Sequence, residues 1–137
     1  MICVLDASAA IEIVLQREAA KELAAVVRES EWVIAPTLYI SEIANVFWKY
    51  QKFADYSFNH CMNNIEQSIA LPDDYINEIE LYREAFNMGC LLDHPVYDMM
   101  YLVLARRNNA VLLTMDKKLQ AVAQKSNVLT FSSMGSE

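Results

Sequence analysis

"MICVLDASAAIEIVL", residues 1–15, decides the fold and poses the first chemical question. Residues 2–5, ICVL, are a short apolar run of strand length, and AAIEIVL at residues 9–15 carries a helical pattern. Between them stands Asp6. A strand that looks buried runs straight into a carboxylate. Asp6 or Ser8 can cap the helix that follows, by accepting an orphan backbone N–H of its first turn. Whether capping is the whole explanation depends on where the other acids fall.

The same strand-then-helix unit recurs along the chain. The reading places a helix over 17–30, a strand at WVIAP (32–36) ended by Pro36, and a long helix from Leu38 to Phe53. Asp55 or Ser57 caps a helix over 56–69, and SIAL (68–71) reads as a short edge strand before Pro72. Residues 73–89 read as one helix with Asp73 near its cap and Gly89 at its end. A helix with Pro95 in its first turn covers 95–107. The strand AVLLT (110–114), a helix over 116–125 and a last strand VLTF (128–131) follow, and residues 132–137 read as a flexible tail. Short apolar strands alternating with helices give an α/β class with a mainly parallel sheet covered on both faces. The 137 residues are the size of one domain, spanning 1–137.

Composition narrows the classes further. The chain is 55% apolar with two glycines and three prolines, which excludes collagen-like and disordered chains. No apolar run approaches the roughly 20 residues that span a bilayer, so no membrane partner is expected. The N-terminus lacks the basic region of a signal peptide. Cys3, Cys61 and Cys90 fit no zinc spacing and read as core-filling thiols of a reducing, cytoplasmic compartment. The net charge of −7 argues against phosphate binding through Lys and Arg. It leaves one route open: acids converging on one site gather divalent cations, and the cations supply the positive charge.

Open α/β sheets bind ligands outside the C-terminal ends of their strands. Asp6 lies there, and so does Asp116, two residues after VLLT. Each has an ordinary reading as a helix cap. Asp98 is harder to dismiss, because VYDMMYLVLA is apolar nearly all round. The macrodipole gives a first-turn Asp about 0.3–1 kcal/mol, which does not offset the several kcal/mol of burying an unpaired carboxylate. Glu42 shares a helix face with Asn45, Lys49 and Lys52, either as a plain solvated face or as an acid with amines along an approaching phosphate chain. Asp93 reads as a turn or cap residue, His94 and His60 as lone histidines, and Glu12 and Glu18 as surface acids.

Carboxylates without histidine or cysteine partners suit Mg²⁺ or Mn²⁺ and phosphoryl chemistry. Other phosphate folds match less well. Ser8 stands where a dehalogenase-type phosphatase needs its second acid, and Asp6 lacks the paired acid of a receiver domain. The Gly-rich nucleotide loops and the G-x-S-x-G elbow do not occur.

The set VLDAS (4–8), PTLYISEIANVFWKY (36–50), HPVYDMMYLVLA (94–105) and LLTMDKKL (112–119) resembles the PIN-domain ribonucleases, specifically the VapC-type toxins of toxin–antitoxin pairs. The resemblance covers nearly the whole chain. It implies a five-stranded parallel sheet in order 3-2-1-4-5 and an acidic metal site of Asp6, Glu42, Asp98 and Asp116. Ser8 and Thr114 match small hydroxyl positions beside that site, and Asn45 a polar position one turn beyond the glutamate. It also implies Mg²⁺- or Mn²⁺-dependent cleavage of RNA, a homodimer, and a cognate antitoxin that blocks the site. Phosphate contacts are sought at Lys49, Lys52 and Lys117, then at Arg106, Arg107 and Lys118. An antitoxin groove is sought around Phe47, Trp48 and Tyr50. An inactive PIN-like binding module and a structure-specific DNA nuclease are the alternatives.

Overall fold

In the computed structural model, residues 1–131 are described, so the proposed tail at 132–137 lies outside them. The elements run β1 (Ile2–Leu5), α1 (Ala7–Val14), α2 (Ala20–Glu29), β2 (Trp32–Pro36), α3 (Leu38–Phe53), α4 (Phe58–Ile69), β3 (Asp74–Ile76), a 3₁₀ turn (Glu78–Glu80), α5 (Tyr82–Leu92), α6 (Val96–Asn108), β4 (Val111–Leu113) and α7 (Lys117–Lys125). The sheet is parallel in order β3-β2-β1-β4. β1 is central. Cys3, Val4 and Leu5 are all fully buried, and successive strand residues point to opposite faces, so both faces are covered. Helix α6 lies against β1, β2 and β4 and packs on α5. Its residues Met99 to Ala105 are buried without a break, as its all-round apolar sequence requires.

Three expectations are corrected. SIAL is not a strand: Ser68 and Ile69 end α4, and the edge strand is β3, paired in register with Ile34–Pro36. Residues 73–89 are not one helix. Asp73 accepts the Val33 N–H at 2.8 Å and helps fasten β3 to β2, and α5 begins at Tyr82 and runs past Gly89 to Leu92. The fifth strand shrinks to a single parallel bridge, Leu112 to Thr130, with Leu112 N donating to Leu129 O at 2.8 Å. The order 3-2-1-4 is the expected one as far as it extends. Of the three thiols, Cys3 and Cys61 are buried and Cys90 is exposed.

Gly89 is fixed by close approach. A Cβ there would lie 2.8 Å from the His94 carbonyl oxygen, a backbone atom with little room to yield. Gly89→Ala is expected to destabilise the fold by about 1–3 kcal/mol through overpacking, against roughly 1 kcal/mol regained in helix propensity. Denaturant unfolding checks this; a variant as stable as its parent would refute the contact.

Candidate metal centre

The β1 and β4 ends lie side by side where the strand order switches, and short polar bonds lock them together. Asp6 caps α1: its Oδ1 accepts from the Ala9 N–H at 3.0 Å and from the Ser8 hydroxyl at 2.7 Å. Ser8 Oγ accepts the Met115 N–H at 2.9 Å and lies 3.3 Å from Thr114 Oγ1, which in turn accepts the Asp116 N–H at 3.0 Å. Asp116 caps α7 through Oδ1, which takes the N–H groups of Lys118 and Leu119 at 2.9 and 3.2 Å. The ordinary capping readings of Asp6 and Asp116 are therefore right, yet each cap occupies Oδ1.

Two further acids face the same space. Asp98 sits in the first turn of α6, its Oδ2 2.9 Å from His94 Nε2. Glu42, in the second turn of α3, accepts the Tyr101 hydroxyl on Oε1 at 2.6 Å. Asp6, Glu42, Asp98 and Asp116 line one cavity of about 310 Å³ together with Ser8, Asn45 and Tyr101. No Lys or Arg lines it.

The acids feel one another. Burial pushes the Asp6 carboxyl up to about 6, against hydrogen bonds from Thr114, Ala9 and Ser8 that pull it down, and the Asp98 charge adds to the rise. Burial pushes Glu42 up to about 7; the Tyr101 hydrogen bond opposes this, and the charges of Asp6, Asp98 and Glu78 reinforce it. Asp98 is raised by burial, opposed by His94 and reinforced by Asp116. Four carboxylates around one cavity without a basic lining residue form a donor set that fits a hard divalent cation. Glu42, Asp98 and Asp116 each have one oxygen with no hydrogen-bond partner among the described residues. The acids line the cavity without closing on a point: among the described residues no three His, Cys, Asp or Glu side chains are close enough to enclose one ion.

Other candidates fall elsewhere. Lys49, Lys52 and Lys117 are exposed and do not line the cavity. The Lys52 ammonium lies over the Trp48 and Phe53 rings. Arg107 pairs with Glu84 at 3.1 Å, and Arg106 donates to the Met88 sulfur, so both serve the α5–α6 contact. Asp93 is the left-handed C-cap of α5. Glu12 accepts the Ala19 N–H, and His60 stacks on Tyr56. A larger open groove of about 760 Å³, beside α1 and α2, is lined by Arg17, Lys21 and Arg28 with Glu18.

Sequence reasoning missed two residues. His94 reads in the sequence as a lone histidine, although its i,i+4 spacing to Asp98 is the signal that pairs them. Tyr101 reads as core, and nothing local announces a hydroxyl partner 59 residues away.

Comparison with known proteins bears on the fold. The chain superposes on PAE2754 from Pyrobaculum aerophilum with a TM-score of 0.76 at 16% identity, covering 98% of this chain and 92% of that one. VapBC-1 from nontypeable Haemophilus influenzae gives 0.62 at 20% identity over 95% and 96% of the two chains. VapBC2 from Rickettsia felis, bound to a DNA fragment from its promoter, gives 0.61 at 15% over 95% and 97%. No curated protein matches the sequence. The PIN domain family profile matches residues 3–125, nearly the whole described chain, and the protein therefore belongs to the PIN-domain family.

Proposed function

We propose that this PIN domain is a Mg²⁺- or Mn²⁺-dependent endoribonuclease, the VapC-like toxin of a toxin–antitoxin pair. The supporting observation is the gathering of four carboxylates from four segments around one cavity at the strand-order switch, with no basic side chain in its lining. Asp6, Asp98 and Asp116 would hold the cation once their side chains draw in from the cavity wall, where no three among the described residues yet enclose a point, and Glu42 would join them directly or through water. A bound divalent ion acidifies a water and stabilises charge on the leaving oxygen of a phosphodiester. Ser8 and Thr114 fix the two strand ends so that Asp6 and Asp116 keep their spacing. Asn45 stands at the cavity wall, and Lys49 and Lys52 continue along α3 as phosphate contacts, with Lys117 next to Asp116. In a chain of net charge −7, the cation carries much of the attraction for RNA.

A cognate antitoxin and a second copy of the chain are the proposed protein partners, in the cytoplasm. The likeness to two VapBC structures supports the first of these. Of the residues sought for an antitoxin groove, Phe47 is fully buried and belongs to the core, while Trp48 remains 54% exposed beside Phe53. No helix among the described residues is long and apolar enough to cross a membrane.

The test is parallel incubation with single-stranded RNA and with flapped DNA, in Mg²⁺, in Mn²⁺ and in chelator. Metal-dependent internal cuts in RNA alone are expected. Cutting of the DNA flap alone would select the structure-specific DNA nuclease, and inertness of both substrates would select the binding module.

A further inference from the structure

The link between α5 and α6 holds one imidazole ring in place. Asp93 turns the chain with a left-handed φ of 53°, and His94 N donates to Gly89 O at 3.1 Å. The His94 carbonyl packs where a Gly89 side chain would otherwise be. Pro95 then starts α6 with φ −56°. The result is a His94 side chain only 9% exposed, with Nε2 2.9 Å from Asp98 Oδ2. An ionised carboxylate only accepts, so Nε2 carries the proton in this contact.

The contact is not needed to close the loop. The His94 backbone already fastens it to α5 through the bond to Gly89 and the tight carbonyl packing. What the ring adds is orientation. The terminal torsion of an Asp is broad and nearly two-fold, and Asp98 is coupled to like charges across the cavity, raised by Asp116 and itself raising Asp6 and Glu42. A donor on one oxygen selects one setting of the carboxylate. Tyr101 bears the same relation to Glu42, one oxygen held and the other without a partner among the described residues.

We propose that His94 is a positioning residue for the candidate metal centre: its Nε2–H holds Asp98 Oδ2 so that Oδ1 faces the cavity and a divalent cation within it. The inference rests on the nuclease reading above. Losing a hydrogen-bond partner that orients a metal ligand typically costs about 10–100-fold in metal affinity.

The experiment titrates Mn²⁺ by calorimetry into the full chain and its His94→Leu, His94→Asn and His94→Gln variants, with thermal unfolding of each in chelator. A glutamine amide reaches about as far as Nε2, and an asparagine amide only about as far as Nδ1. Leu and Asn are expected to weaken Mn²⁺ binding about 10–100-fold and Gln to stay within about threefold of the parent, with similar unfolding temperatures. If the Leu variant does not fold, the Asn–Gln comparison decides. Parent-like binding by His94→Asn, or Gln as weak as Asn, overturns the positioning role and leaves the carboxylate site standing. A parent that takes up no Mn²⁺ overturns both the role and the nuclease reading.

Discussion

Asp6→Asn and Asp98→Asn are expected to abolish RNA cleavage while leaving the fold intact. The substitutions are nearly isosteric, so the difference is charge. At Asp6 the capping function survives, because Asn is as good an N-cap as Asp and its carbonyl can still accept the Ala9 N–H. At Asp98 the carbonyl can still accept from His94 Nε2. What is lost is one negative oxygen pair from the cavity wall. Losing a mere partner of a metal ligand costs about 10–100-fold, so losing the ligand should cost on the order of 100-fold or more. Initial rates on single-stranded RNA in Mg²⁺, with circular dichroism of the same samples, supply the measurement. Folded variants that cut at the parent's rate would remove Asp6 and Asp98 from the site.

That prediction separates two explanations that the sequence alone could not. Read singly, Asp6 and Asp116 are caps, and the structure shows that they do cap. The cap takes one carboxylate oxygen at Asp116, and at Asp6 the Ala9 N–H and the Ser8 hydroxyl share Oδ1. Fastening a helix to a strand end and facing a cavity are therefore compatible tasks for one side chain.

How far the sequence could be read depended on the range of the forces involved. α3 and α7 were legible almost to the residue, because helical periodicity and capping are local. So were β1 and β2, apolar runs buried on both faces. β3 was not. Its three residues, Asp74–Ile76, include an exposed aspartate and become a strand only by pairing with β2 some forty positions earlier. The apolar SIAL looked more like a strand but continues the turns of α4, where Ser68 donates to Asn64 O. Asp6, Asp98 and Asp116 stand out by position, at strand ends and in an apolar helix, whereas Glu42 reads by itself as an acid on a solvated helix face. His94 stands at i,i+4 from Asp98, but the left-handed turn at Asp93 that aims its ring is not legible, and Tyr101 meets Glu42 across 59 residues of chain.

The chain without metal should lose stability as pH rises from about 4 to 7, the reverse of the usual behaviour of a paired carboxylate. Asp6 binds its proton more tightly folded than unfolded, since burial lifts its carboxyl from 3.8 to about 6. Between those values the folded state holds more protons than the unfolded one, so the unfolding free energy falls with rising pH. The stabilisation is complete below about 4 and gone above about 6, and a shift of this size corresponds to about 3 kcal/mol. Glu42, raised to about 7 mainly by burial, extends the loss toward neutrality. Asp6→Asn, which cannot ionise, resembles the protonated parent at every pH. In chelator the two proteins should melt alike near pH 4, and by pH 8 the variant should melt higher by roughly 10 °C. Saturating Mn²⁺ should reverse the order at pH 8, because the ion binds the folded parent and adds RT ln(1 + [L]/Kd) to its stability. Calorimetric scans of both proteins from pH 4 to 8, with and without Mn²⁺, read the difference directly. A parent–variant gap that does not change with pH in chelator would mean that Asp6 is ionised without penalty in the fold, and the crowding of acids that makes this cavity a cation site would not exist.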